Sequence, residues 1–591
     1  MQLFISGKFV DSESGKCYES YDPRTNEVLT KVARATPEDV DKAVCAAREA
    51  FDKGPWPRMK AKERGMVLCH LATMMEVRRV WRVPDERGSD RVSLNILTRN
   101  RAMPAQEEQE YLTQLECLDS GKTYAQISQS DVPEAIYHFR YFAGMVDKIE
   151  GRTLPVGGAG VNGNDFTAYT LKEPIGVVAQ IVPWNFPLLM ATWKLAPALA
   201  CGNCVVLKAS QHTALSALYL AKLASRAGVP PGVLNVITGK GSEVGDALTA
   251  HPKVDKVAFT GSTEVGKKTG AKAMESTAKN VTLELGGNAP VLVAPSADMD
   301  EAIEGVVAGC VFNAGQACEA GARVYVHRSI YEKFSRGVAD LMARKKVGDS
   351  MDPDTDVGPL VSQEQFDKVT DYIERGKKAG ARVLAGGEPW EGWKDYKEGR
   401  RVGRASEKGM PTPPRRQQRA QGRGGGEENE GENEPRSREQ GRKEREEGAE
   451  EAPLTPKTGK ALSNGFFVQP TVFGDVTDDM DISRDEIFGP VMTLSTYDSL
   501  EEVLPRMNDT EYGLAAAVWA NDLETVGAVT RNVKAGTVWV NTHHLLDASM
   551  PFGGFKQSGV GREHGFDGLE FYTQTKTVVM PLPKLNNWTI M

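Results

Sequence analysis

From residue 176 onward, short unbroken apolar runs alternate with longer stretches whose apolar residues recur every three or four positions. "GVVAQIV" predicts a strand buried on both faces and "PLLMATWKLAPALA" a helix. "CVVLKAS" is a second strand, "TALSALYLAKLASRAG" a helix stopped by Gly228, and "GVLNVITG" a third strand. "SEVGDALTA", "DKVAFTG", "STEVGKKTGAKAMES" and "VTLELGG" continue the rhythm as helix, strand, helix and strand. Such alternation predicts an α/β fold with a parallel sheet covered by helices on both faces. Ligands in such sheets bind beyond the carboxyl ends of the strands, so the turns just named face one crevice.

Two stretches break the rhythm. Residues 393–460, including "RRQQRAQGRGGGEENEGENEPRSREQGRKEREEGAEEAP", carry no aliphatic period and little to bury, which predicts a disordered insertion. Residues 78–106 separate "ERGMVLCHLATMM" from "EEQEYLTQLECLDSGK", two helical patterns that otherwise read as one hairpin. This shorter stretch reads equally well as a docked loop or as a second disordered insertion.

Composition narrows the class. The chain has 591 residues, more than one core usually serves, with 40% hydrophobic and 26% charged residues. A formal net charge of -8 argues against nucleic acid or an anionic membrane as partner. No apolar run reaches the ~18 residues of a membrane helix, and "MQLFISGKFVDSESGK" lacks a signal-peptide layout. Eight scattered cysteines suit a reducing compartment, so a cytoplasmic location is expected.

The turn in "FTGSTEVGKK" resembles an ATPase phosphate loop, but Lys268 stands where that loop needs a Mg²⁺-binding hydroxyl. A helix start after Gly261 still offers N–H groups and a positive dipole end to a phosphate. "CGNC", Cys201 to Cys204, has zinc or redox spacing but no second ligand pair, so it reads as structural and no metal is expected. His543-His544 reads as a cleft-rim feature. Cys318 follows Gly315-Gln316-Ala317. Glu284 ends a strand in "ELGGNAP", and Asn185 sits in a strand-to-helix turn in "PWNFP".

Taken together, "PWNFPLLMATWKLAPALACGN", "FTGSTEVGKK", "LELGGNAP", "GQACEAG", "DEIFGPV", "WVN" and "PFGGFKQSGVGREHG" resemble the aldehyde dehydrogenase superfamily. The class most resembled is NAD-dependent and acts on non-phosphorylated aldehydes. The resemblance implies parallel-sheet cofactor and catalytic domains plus a small β oligomerisation element. It assigns residues 1–150 and 171–286 to the cofactor domain, 287–570 to the catalytic domain, and 151–170 with 571–591 to the oligomerisation element. A homodimer or homotetramer is implied, with a small-molecule aldehyde as substrate and NAD, or NADP, as cofactor. Cys318 would be the nucleophile, Asn185 an oxyanion donor and Glu284 the base that activates the hydrolytic water. Gly261 and Ser262 would meet the pyrophosphate, Lys208 and Gln211 the adenosine ribose, and Glu486 the nicotinamide ribose. Trp184 and Phe488 would flank the cofactor; Met190, Trp193 and Phe552 would line the substrate tunnel and favour an apolar aldehyde.

Two positions depart from the pattern. Gln211 replaces the glutamate usual in NAD-preferring members, which removes a charge that repels a 2′-phosphate. Glu319 directly follows the nucleophile, where a carboxylate disfavours the thiolate. It also supports a rival reading of the chain as a catalytically weak binding or structural protein of the same fold.

Overall fold

The computed structural model describes residues 1–76, 107–155, 166–388, 462 and 465–581. The expectations for residues 78–106 and 393–460 lie outside the described residues.

Among the described residues, an eight-stranded sheet is ordered around five parallel strands: Asn280–Glu284, Lys256–Thr260, Val177–Ile181, Cys204–Lys208 and Leu234–Ile237. Antiparallel strands close both edges: Gly559–Val560 pairs with Asn280–Glu284, and Leu3–Ile5 with Leu234–Ile237. The strands of the apolar runs are buried throughout Val177–Ile181, Cys204–Lys208 and Leu234–Ile237, as expected of a sheet covered on both faces. Helix Pro187–Ala200 has every residue buried and Pro at its first position, where the missing N–H costs nothing. Helix Leu215–Ala227 ends at Gly228, whose φ of 103° is the left-handed conformation glycine adopts without a Cβ clash. The stretch expected as one helix at 242–250 is a π-type turn, Gly241–Gly245, that passes into helix Asp246–Ala250.

Chain order within this sheet matters for the site. After Val177–Ile181 the chain steps one way to Cys204–Lys208 and Leu234–Ile237. It then returns to the other side of Val177–Ile181 as Lys256–Thr260. The turns leaving Val177–Ile181 and Lys256–Thr260 therefore diverge and open a crevice at the switch in strand order.

A second, seven-stranded sheet runs in the order Arg382–Ala385, Thr471–Gly474, Val491–Tyr497, Arg323–His327, Pro290–Val293, Ala515–Trp519, Thr537–Val540. All its pairings are parallel except that of the edge strand Arg382–Ala385. Strand Thr573–Pro581 pairs along nine residues with Phe166–Pro174, which also pairs with Thr153–Leu154, in a separate antiparallel sheet. Among the described residues, no helix is long and apolar enough to cross a membrane.

Candidate active site

Turns from the two large sheets meet over a cleft of about 430 Å³. The first sheet contributes Trp184 and Asn185, Gly261 and Ser262, and Glu284 with Gly286, each at the carboxyl end of its strand. The second contributes Cys318 and the pair Glu486 and Phe488, each in a turn that leads into a strand. Met190, Trp193 and Phe552 form an aromatic and aliphatic wall; Trp193 meets Phe552 edge-on at 5.4 Å. Lys208 ends the neighbouring strand and Gln211 follows it, and neither lines this cleft.

The nucleophile candidate sits after an unusual backbone. Asn313, Ala314 and Gly315 all have positive φ, 52°, 52° and 72°. For the two non-glycine residues this conformation costs on the order of 1–3 kcal/mol each. The surroundings hold it in place. Asn313 Nδ2 donates to the carbonyls of Asn185 at 2.7 Å and Gln316 at 3.2 Å, and Gln316 Oε1 accepts from the Val361 amide at 3.0 Å. Gly315 is required sterically, since a Cβ there would lie 2.1 Å from the Gly489 carbonyl oxygen. Gly287 likewise lets the backbone of Cys318 approach, with a Cβ placed 2.2 Å from its carbonyl oxygen.

Asn185 is buried and donates through Nδ2 to the Gln316 carbonyl at 2.9 Å. The amide carries a second hydrogen that this bond does not use. Glu284 is 5% exposed, and among the described residues its Oε2 has no hydrogen-bond partner. Burial, and next the charge of Glu563, hold its carboxyl well above the usual range. Glu563 itself is paired with Lys194 behind the cleft. Burial and then the adjacent Glu319 push the Cys318 thiol up as well. Neither group is poised as an anion.

Ser262 is the N-cap of helix Thr263–Thr277 and makes no side-chain capping bond, so the first N–H groups of that helix stay open to an anionic ligand. Glu486 accepts the Gly287 amide at 2.8 Å; burial pushes its carboxyl to about 7. Gly286 lies against it so closely that a Cβ would sit 2.6 Å from Glu486 Oε2. Trp184 and Phe488 meet edge to face at 5.3 Å. The Lys208 ammonium is buried at its strand end, which lowers it to about 8, and among the described residues it has no ion pair. A glycine-walled cradle, an open helix start and an uncompensated buried ammonium fit a dinucleotide with hydroxyls and phosphates to satisfy them.

Several residues that the sequence did not single out complete the site. Gln365 donates to the Phe488 carbonyl at 2.7 Å and Lys368 to the Glu486 carbonyl at 3.0 Å, both from helix Gln363–Lys378. Their spacing of three on one helix face was the available signal. Phe312, His138, Leu545 and His544 also line the cleft, whereas His543 is half-buried and lies against Gly309 and Gly321. Cys201 and Cys204 are buried between helix and strand, and among the described residues no cluster of three metal-ligating side chains occurs.

Comparison with known proteins decides the family. The Aldehyde dehydrogenase family pattern matches residues 9–80, 94–403 and 433–578. The chain belongs to the aldehyde dehydrogenase family. It is 40% identical over 578 residues to the putative aldehyde dehydrogenase DhaS of Bacillus subtilis, covering 98% of this chain and 95% of that one. Human mitochondrial aldehyde dehydrogenase is 40% identical over 588 residues, covering 99% and 93%. Among solved structures, the NAD⁺ complex of aldehyde dehydrogenase from Bacillus cereus superposes with a TM-score of 0.79 at 39% identity, covering 99% and 97%. The fold of this aldehyde dehydrogenase is therefore that of the family.

Proposed function

We propose that this aldehyde dehydrogenase oxidises a non-phosphorylated, largely apolar aldehyde to the carboxylic acid, with NAD as the preferred cofactor and NADP accepted more weakly. The observation that carries the reading is the convergence of Cys318, Asn185 and Glu284 on one cleft whose opposite end is an open helix start.

Bound NAD supplies the hydride acceptor. Ser262 and the first turn of its helix would hold the pyrophosphate, Lys208 the adenosine ribose, and Glu486 the other ribose. Trp184 and Phe488 would flank the cofactor. Cys318 Sγ, its proton released to solvent, attacks the aldehyde carbon, and the second hydrogen of the Asn185 amide supports the oxyanion of the thiohemiacetal. After oxidation to the thioester, Glu284 takes a proton from the attacking water. Its lifted carboxyl takes up a proton more readily than a free glutamate does. The wall of Met190, Trp193, Phe312 and Phe552 favours an aliphatic or aromatic substrate body.

The cleft and the cofactor cradle belong to one chain, while the exposed strand Thr573–Pro581 presents an unpaired edge of the kind that joins subunits. A homodimer or homotetramer built on that edge and a cytoplasmic location complete the reading. The test is direct: mix the protein with NAD and a panel of aldehydes and follow NADH absorbance. Turnover with aliphatic or aromatic aldehydes supports the reading, and no NADH with any of them refutes it.

A further inference from the structure

The two oxygens of Glu319 are divided between the nucleophile and a histidine. Cys318 Sγ–H donates to Oε2 at 3.1 Å, and Oε1 faces His544 Nδ1 at 3.2 Å. The carboxylate is 5% exposed, so this pairing takes place away from bulk water. His544 is fixed in turn: its Nε2 faces the Gly309 carbonyl at 3.0 Å, and its ring stacks on Phe312 at 4.5 Å. Both ring nitrogens of His544 thus face oxygen atoms, which fixes the ring between Glu319 and Gly309. His543, the adjacent residue, bonds through Nε2 to the Glu319 carbonyl at 3.1 Å, so its own backbone is also held. Two residues from the segment after strand Thr537–Val540 grip Glu319, one by its side chain and one by its backbone.

We propose that Glu319 and His544 form a latch on the nucleophile: the imidazole anchors the carboxylate, and the carboxylate holds Cys318 as a neutral thiol donor until substrate draws the sulfur away. The pair positions Cys318 and shields it; the sulfur remains the reacting atom. The proposal rests on Cys318 being the nucleophile of the reaction above. It goes beyond that reading by assigning work to two residues outside the catalytic set.

The electrostatics agree. Glu319 is held down to about 2: burial works against the anion, but the hydrogen bond and charge of His544, then the Cys318 thiol, outweigh it. Every carboxylate facing the sulfur acts in one direction. Glu319, Glu486 and Glu284 all raise the thiol. His544 is engaged with Glu319. Lys122, whose charge couples to Glu319, is paired with Asp131 and lies over the Phe186 ring at 3.4 Å. A thiol in this setting has little thiolate to offer an oxidant or alkylating agent.

The experiment is iodoacetamide alkylation of Cys318 across pH without cofactor or substrate, read by mass spectrometry of the Cys318 peptide. It requires no turnover, so it fails or succeeds independently of the aldehyde assay. In the unaltered enzyme the midpoint should lie above that of an ordinary thiol, about 8.5. A midpoint below that value overturns the latch. Glu319→Gln keeps the shape and removes the charge. It should move the midpoint at least one unit down and raise the rate at neutral pH about ten-fold. Glu319→Asp, which keeps the charge, should stay closer to the unaltered enzyme. An unchanged or slower rate in Glu319→Gln means that the carboxylate does not restrain the sulfur.

Discussion

The side-chain amide of Asn185 donates to the carbonyl of Gln316 at 2.9 Å, tying the turn after one strand to the loop that carries Cys318 from the other sheet. A single amide group therefore joins the proposed oxyanion donor to the strained segment that presents the nucleophile. Asn185→Ala should lose both the donor and the tie. The expected fall in kcat is at least the ~10²–10³ typical of one oxyanion donor. Steady-state kinetics would check it, and a change in KM alone would show that Asn185 only binds substrate.

Cys318 and Glu284 separate the two halves of the proposed reaction. Cys318→Ala should abolish oxidation while NAD binding, followed by fluorescence titration, persists. Glu284→Gln should give a burst of NADH and then a slow steady state, because the thioester forms without the base but is not hydrolysed. Equal loss of burst and steady state would remove Glu284 from the second half.

Because burial and the charge of Glu563 hold Glu284 well above the usual carboxyl range, its proton is lost only as pH rises past that range. The hydrolytic step should therefore quicken with pH on a limb more alkaline than a free glutamate. Glu563→Gln removes the neighbouring charge and should move the limb to lower pH. A kcat–pH profile that stays in place would show that the two carboxyls do not interact.

Glu116 accepts the Leu188 amide at 2.9 Å, at the start of the helix that follows the Asn185 turn. Burial lifts its carboxyl to about 7 from 4.5. The group is protonated in folded and unfolded chains below 4.5, so its contribution to stability is complete there. As pH rises from 4.5 through about 7 the unfolded chain loses the proton first, and this contribution disappears. The loss is at most about 3 kcal/mol. Glu116→Gln keeps the acceptor and removes the titration. Its Tm should fall less between mildly acidic and alkaline pH than that of the unaltered protein. Asp119, also lifted to about 7, leaves a residual slope in both proteins.

Gln211 is exposed just beyond the strand that ends at Lys208. Gln211→Glu restores a charge that repels a 2′-phosphate. Partly screened by solvent, such a charge should raise the NAD-to-NADP ratio of kcat/KM about ten-fold. An unchanged ratio would show that residue 211 does not face the ribose.

Strand Arg382–Ala385 pairs antiparallel with Thr471–Gly474, and the Gly387 amide donates to Thr471 Oγ1 at 3.0 Å. The chain thus leaves and re-enters the second sheet at one edge, remote in sequence from every residue of the cleft's first sheet. Joining the ends of a deletion of residues 393–460 should preserve NAD-dependent activity. Loss of activity or of soluble protein would mean that this stretch contributes to the enzyme.

Much of the fold was readable because the parallel strands are continuous apolar runs between turn residues. Helix Pro187–Ala200 has the bounds its sequence predicts, with proline opening it and the glycine of "CGN" following it. Helix Thr263–Thr277 begins one residue late because Ser262 is its cap. The motifs brought Cys318, Asn185 and Glu284 to one cleft, since each sits in a turn at an end of a parallel strand. What escaped was long-range and made one residue at a time. His544 meets Glu319 across 225 positions, and Lys194 meets Glu563 across 369. No periodicity announces such pairs. The two-residue strand Gly559–Val560 was equally silent, being too short to show an alternation.

That short strand ties Glu284 to a distant part of the sequence. Glu284 lies opposite Gly559 in register, Leu285 N–H donates to the Ser558 carbonyl at 2.8 Å, and Ser558 Oγ donates to the Gly286 carbonyl at 2.7 Å. Glu284 and the turn after it are thus held by residues more than 270 positions downstream. Contacts of such separation form late, after local helices and neighbouring strands are in place. During synthesis the ribosome has released the Cys318 loop long before it delivers Ser558. The growing chain therefore carries its thiol for some 240 residues of elongation, on the order of 10–50 seconds, before the strand that pairs with Glu284 has been made.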